Sequence, residues 1–189
     1  MAPVSLIGHG DRMRRPDHVR VPPVHVDTVA VTAVMKADNV RRTLATNPAV
    51  AAAFASFGKT VLHDGSVAPR RRELVILRMG WKCQSRYEFG QHTLMGRSVG
   101  LSDDEIFHLT RPLDTWPWDP AEFALLQMVD DLHADDCITD ATWADLEAHF
   151  THHDMLELMA ATLFYRAISG ILNSCGVELD EGVPGWPVR

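Results

Sequence analysis

Between Asn47 and Gly176 the chain is punctuated by helix-start and helix-stop signals, and no stretch of it alternates with the two-residue period of a strand. Asn47-Pro48 joins an N-cap, whose side chain accepts from an orphaned backbone N–H, to a proline whose missing N–H is no loss in a first turn. It opens a helix through Ala51, Phe54, Phe57 and Leu62 that stops at the turn His63-Asp64-Gly65. Pro69 opens a second, with Leu74, Leu77 and Arg78 in its periodic run, ending near Trp81. A third covers roughly Ser85 to Val99 and stops at Gly100. Ser102-Asp103-Asp104-Glu105 reads as a capping box, Asp119-Pro120 as a further start through Leu125, Met128 and Leu132, and Asp140 or Thr139 as the cap of a helix to Phe150. Thr151 with Asp154 then caps a long apolar helix from about His152 to Cys175, closed by Gly176. The spacing predicts an all-α bundle of about seven helices forming one domain over residues 37–189. Residues 1–36, with Pro3, Pro16, Pro22 and Pro23 and no long helical period, read as an extended N-terminal arm lying on the domain or on a partner.

Charge is segregated along the chain. The net charge is −7, yet residues 58–97 hold eight basic residues against Asp64, Glu73 and Glu88, while residues 103–157 hold fifteen acidic residues against Arg111 alone. Solvated helix faces account for the acidic stretch in one reading. In the other, the basic segment flanks a site for a small anion and the complementary halves favour self-association. An acidic chain is a poor nucleic-acid binder, because counterion release needs clustered Lys and Arg. With no apolar run near ~20 residues and no signal-peptide pattern, no membrane association and a cytoplasmic location are expected. Cys83, Cys137 and Cys175 are too scattered for a C-x-x-C pair, a zinc knuckle or a disulfide framework.

Ser85, Glu88 and His92 stand at i, i+3 and i+7 of the third helix and share one face, which continues into the apolar Met95 and Val99. A carboxylate four residues before an imidazole can hold its tautomer and raise its basicity, as general acid–base work requires. A structural Glu–His pair has the same spacing. Glu73 on the preceding helix meets that face if the two helices pack antiparallel, and two carboxylates beside one His would have divergent pKa values; a Glu paired with a neighbouring arginine is the plainer alternative. The same three side chains, two carboxylates and one imidazole, could in principle ligate a metal, though that is not the expectation. His149, His152 and His153 are not expected to converge on a metal because Thr151 caps a helix between them. Leu156, Met159, Leu163 and Ile171 read as core or interface, Arg166 as needing a buried or intersubunit carboxylate, and Trp186 as docking on the domain or a neighbour.

The run Arg72-Glu73-Leu74-Val75-Ile76-Leu77-Arg78, with Tyr87-Glu88-Phe89-Gly90-Gln91-His92 and Gly100-Leu101-Ser102-Asp103-Asp104-Glu105-Ile106, resembles the carboxymuconolactone decarboxylase / alkylhydroperoxidase AhpD-like family. The resemblance extends over most of residues 38–183, through Leu132-His133-Ala134-Asp135 and Leu172-Asn173-Ser174-Cys175-Gly176. It implies an AhpD-like helical bundle that assembles as dimers, trimers or hexamers. Its hydroperoxidase branch uses a Glu, a C-x-x-C pair, a Tyr and a His; anchored on His92, these fall on Glu73, on Ser85 and Glu88 in place of the cysteines, and on Tyr87. The proton-relay members are kept and both redox sulfurs are absent, which a dithiol cycle cannot tolerate. The decarboxylase branch is the closer match. It implies a cofactor-independent lyase acting on a small anionic or lactone substrate, with His92 as proton donor or base, Glu88 orienting it, Glu73 a second acid–base group, Tyr87 and Ser85 donors to an oxyanion, and Arg78 or Arg86 holding a substrate carboxylate. Peroxidase or peroxiredoxin-like activity through Cys83, or a non-enzymatic small-acid binder or scaffold, are the alternatives.

Overall fold

The structure is a computed structural model that describes residues 15–25 and 37–187. Among the described residues there are eight α-helices and no strand: α1 (Asp38–Leu44), α2 (Pro48–Lys59), α3 (Pro69–Lys82), α4 (Arg86–Ser98), α5 (Asp103–His108), α6 (Pro120–Asp135), α7 (Asp140–Glu147) and α8 (His152–Cys175). A π-helical turn, Thr60–Asp64, extends α2, and a short 3-10 turn, Leu113–Thr115, precedes α6. The caps form as their chemistry demands. The Asn47 side chain accepts from the Val50 N–H, Asp119 from Ala121 and Thr139 from Thr142, while Ser102 with Glu105 and Thr151 with Asp154 close capping boxes.

The whole of 72–80 on α3 is buried, Leu74, Val75, Ile76, Leu77 and Met79 completely, so α3 is the central helix. One side packs Val75, Ile76 and Met79 with Leu125, Met128, Leu158 and Ile168 of α6 and α8. The other packs Leu74 and Leu77 with Phe89, Leu101, Ile106, Leu109 and Leu126. Arg70 pairs with Glu105 of α5 and Glu122 of α6, and Arg78 with Asp130 of α6. Much of the sequence's charge segregation is therefore spent inside the fold, joining basic α3 to the acidic helices around it.

Residues 15–25 run without regular structure over the domain, Arg20 and Val21 donating their N–H groups to the Cys175 carbonyl and Val24 to that of Arg42. The rest of the expected arm, 1–14 and 26–36, lies outside the described residues. Gly176 ends α8 at φ 69, and a Cβ there would stand 2.3 Å from the His18 carbonyl oxygen, so this crossing requires glycine. After α8 the tail passes over Gly90, and Trp186 docks within the chain, 5.2 Å from the rings of Trp81 and Phe89.

Several expectations change. Arg166 pairs with exposed Asp136, at the C-cap of α6, and with the Leu132 carbonyl, so its carboxylate is neither buried nor from another subunit. Leu156 and Leu163 are exposed, at 66% and 40%, which removes the core half of the core-or-interface reading for these two and leaves its interface half. Despite its interrupting charges, α8 is long and apolar enough to cross a membrane by length and composition; here its apolar side packs on α3 and α6.

Candidate active site

The connection from α3 to α4 is only three residues long. Cys83 caps α3, Gln84 takes a left-handed conformation at φ 53, and Ser85 caps α4 while its N–H returns to the Gly80 carbonyl. This reversal lays α4 back along α3 and brings Glu73 to His92 across the helix pair. His92 Nδ1 lies 2.7 Å from Glu73 Oε2, both side chains essentially without solvent contact. On the opposite side of the ring, Nε2 stands 3.7 Å from Glu88 Oε2, beyond hydrogen-bond distance. The Tyr165 ring of α8 meets the imidazole edge-on at 4.6 Å.

Burial and mutual charge set the protonation of this group. Burial pushes the Glu88 carboxyl up to about 7; His92 pulls it down and Glu73 pushes it up further, by smaller amounts. Burial works against the His92 cation, but the charge and hydrogen bond of Glu73, with the charge of Glu88, overcome it and raise the His92 pKa. Burial, reinforced by the negative charges of Glu88 and Glu73, raises Tyr165 far enough that its hydroxyl serves as a proton donor, not a base.

Beside this group lies a cavity of about 620 Å³, within the usual range for small-molecule sites. Its floor is formed by Tyr87, Glu88, Gln91 and Tyr165, all buried. Its walls are the apolar side chains of α1, α2 and α8, among them Leu44, Ala51, Phe54, Phe164 and Ile168, and its rim carries Arg41, Lys59 and His63.

The structure thus redistributes the expected roles. Glu88, the anticipated orienting group, is the carboxyl that lines the cavity; His92 sits behind it, and Glu73 holds the imidazole. Tyr87 lines the floor, but its hydroxyl donates to Asp180 at 2.6 Å and accepts from the Val40 N–H, so its proton is committed elsewhere. Ser85 is buried away from the cavity lining with its Oγ unpartnered, and does not face an oxyanion there. Arg78 is not among the lining residues: its guanidinium is saturated by both Asp130 oxygens and by the carbonyls of Leu109 and Arg111. Arg78→Ala is expected to cost about 2–3 kcal/mol of stability in denaturant titration while leaving KM unchanged. Arg86 is exposed beside Gly185 of the tail, again off the cavity. Cys83 points its Sγ at Met79 Sδ, 3.4 Å away. Glu73 and Glu88 face opposite nitrogens of the His92 ring, and among the described residues no group of three or more His, Cys, Asp or Glu side chains is arranged to hold a metal ion.

Three residues of the site were not assigned from sequence. Gln91 shares the face of Glu88 at i+3, a signal that could have found it. Tyr165 announces itself only as a polar group in an apolar helix. Asp180 joins Tyr87, Gln91 and the backbone N–H of Asn39, tying the tail to α4 and α1.

Residues 48–131 match the model of the Carboxymuconolactone decarboxylase (CMD) family. Over that segment the chain is similar to this family. The match runs from α2 into α6 and contains Glu73, Glu88 and His92. No curated protein matches the chain by sequence. Among solved structures, the fold is shared with an uncharacterized peroxidase-related protein from Silicibacter sp. TM1040, at TM-score 0.70 and 16% identity over 76% of this chain and 77% of that one. An uncharacterized peroxidase-related protein with the alkylhydroperoxidase AhpD core, from Ralstonia eutropha JMP134, gives TM-score 0.69 and 21% identity over the same shares, 76% and 77%. A protein of unknown function of the AhpD type from Agrobacterium tumefaciens gives 0.67 and 20% over 72% and 94%. At these identities the likeness is one of fold.

Proposed function

We propose that this chain, similar to the CMD family over residues 48–131, is a cofactor-independent acid–base enzyme, of lyase or decarboxylase type, acting on a small carbonyl, lactone or keto-acid substrate. One observation carries the reading: a buried carboxyl, Glu88, lines the cavity with its pKa brought to about 7, beside an imidazole held by a second buried carboxylate. A general acid or base works best when its pKa lies near the working pH.

In the lyase direction the C–C bond to a departing carboxylate breaks, carbon dioxide leaves, and the electron pair passes into the neighbouring carbonyl as an enolate. The Tyr165 hydroxyl donates to the developing oxyanion, and protonated Glu88 delivers its proton to carbon. His92, held by Glu73, sets the charge that Glu88 meets and stays out of contact with substrate. The test is an assay of wild type and Glu88→Gln on a panel of lactone and keto acids; equal turnover by the two overturns the proposal.

The AhpD-type neighbours favour a second reading, peroxide reduction. Here the dithiol positions are Ser85 and Glu88, leaving Cys83, off the cavity, as the thiol to attack the O–O bond and be restored by an external thiol reductant. Peroxide consumption with reductant is expected to stay at the level of Cys83→Ser. A Cys83-dependent turnover would put this reading first.

A further inference from the structure

We propose that Asp180, in the tail, is a positioning residue for the site: its one carboxylate caps α1 from across the chain and holds the cavity floor, which makes α1 the closing wall of the cavity. The part of this that concerns turnover rests on the acid–base reading above.

Helix α1 needs an outside partner. It is seven residues long, starts from Ala37 in the left-handed region at φ 46, and has no side-chain cap of its own. Within α1, Thr43 alone is buried, yet the helix supplies Val40, Arg41 and Leu44 to the cavity wall. Two of its orphaned first-turn donors find acceptors far along the chain. The Asn39 N–H donates to Asp180 Oδ1 at 2.9 Å, and the Val40 N–H to the Tyr87 hydroxyl oxygen at 3.2 Å. The Asn39 amide adds bonds to the Glu178 and Leu179 carbonyls at 3.1 and 3.4 Å. A cap normally comes from the residue just before a helix; here a carboxylate of the tail takes that place.

The second oxygen of the same carboxylate serves the floor. Asp180 Oδ2 accepts from the Tyr87 hydroxyl and from the Gln91 amide, each at 2.6 Å. Because the Tyr87 oxygen takes the Val40 N–H, its own proton goes to Asp180, and cap and floor share one hydrogen-bond network. Burial, then the Asp180 bond, raise the Tyr87 phenol well above its ordinary value and keep that proton in place. Tyr87 and Gln91 flank Glu88 on α4 and line the cavity with it. Asp180 is itself buried, so its loss would strand the Tyr87 and Gln91 donors away from water. Glu88, His92 and Glu73 are placed instead by the pairing of α3 with α4. Wall and floor therefore depend on Asp180, and the proton-transfer group does not.

Amide hydrogen exchange, resolved by peptide, tests the cap, and steady-state kinetics test its use. Asp180→Ala is expected to speed exchange across α1 about tenfold while α3, α6 and α8 keep wild-type rates. Asp180→Asn keeps an acceptor for the Asn39 N–H and lets the Gln91 amide turn its oxygen toward the new donor, so it should hold α1 within about threefold of wild type. Tyr87→Phe removes one hydroxyl, keeps the ring, and covers the case in which Asp180→Ala fails to fold; it should speed α1 exchange about fivefold. On a lactone or keto acid that wild type turns over, Asp180→Ala should raise KM about tenfold, with kcat within about twofold and its pH profile unmoved, and Asp180→Asn should restore KM. Wild-type α1 exchange in both Asp180→Ala and Tyr87→Phe, or a rise spread equally over every helix, overturns the proposal. So does a loss of kcat with KM unchanged. Faster α1 exchange in a protein that turns over none of these acids would uphold the cap and remove the acid–base reading alone.

Discussion

Glu88→Gln is expected to abolish turnover and, at pH 8, to make the protein more stable. The activity loss should be about 10²–10⁴-fold in kcat, the usual contribution of a positioned proton-transfer group. The stability gain follows from the same burial. Glu88 ionises at 4.5 in an unfolded chain and at about 7 when folded, so between those values the folded state binds the extra proton. The stability this contributes is present below 4.5 and is lost as pH rises through 7, amounting to on the order of 3 kcal/mol. His92 acts in the same sense: its raised folded pKa contributes stability that is complete below 6.5 and disappears as pH passes its folded value. Wild type should therefore lose stability from pH 5 to pH 8, and the Gln variant should lose less of it. Denaturant midpoints at the two pH values measure the effect. An identical pH slope in both proteins would show that the Glu88 carboxyl is ionised in the folded state throughout that range.

The caps of α2 and α5–α8 were legible because a cap is a local transaction between one side chain and a backbone N–H two or three residues away. Helix α1 was not. It is seven residues long and starts from Ala37 in a left-handed conformation with no side-chain cap, so neither periodicity nor capping announces it. Its place is set by partners distant in sequence, the Asp180 carboxylate on Asn39 and the Tyr87 hydroxyl on Val40. Those contacts also explain why half the cavity was invisible from sequence, since α1 supplies part of its wall.

The site shows the same division. Spacing placed Glu88 and His92 on one face, and both are there, but a helical face is wide enough to serve two neighbours. Four residues apart, Glu88 remains 3.7 Å from the imidazole, while Glu73 reaches it at 2.7 Å from the facing helix. The arginines were misread for a related reason. Their density suggested an anion site, yet Arg70 and Arg78 find their carboxylates on α5 and α6, and only the tertiary structure shows which cations are consumed.

Glu73→Ala should be the most destabilising single change at the site, by about 3–5 kcal/mol, because it strands His92 in a fully buried environment and opens a cavity beside the central helix. For a chain of this length that corresponds to a fall in thermal midpoint on the order of 10 °C. The loss is the penalty of an orphaned partner, which is not the worth of the pair. Glu73 has its second oxygen unpartnered, and His92 its second nitrogen, so this polar pair is incompletely satisfied on both sides. A half-satisfied buried network is inferior to a well-packed apolar one. Replacing both members, as in Glu73→Leu/His92→Phe, is accordingly expected to recover most of the stability lost by Glu73→Ala while activity stays absent. If the double variant is as unstable as the single one, the pair is structural. Recovery without turnover would mean that the fold has no need of Glu73 and His92 for itself, and that their part lies in activity, through the smaller, opposed pulls of their charges on the buried Glu88 carboxyl.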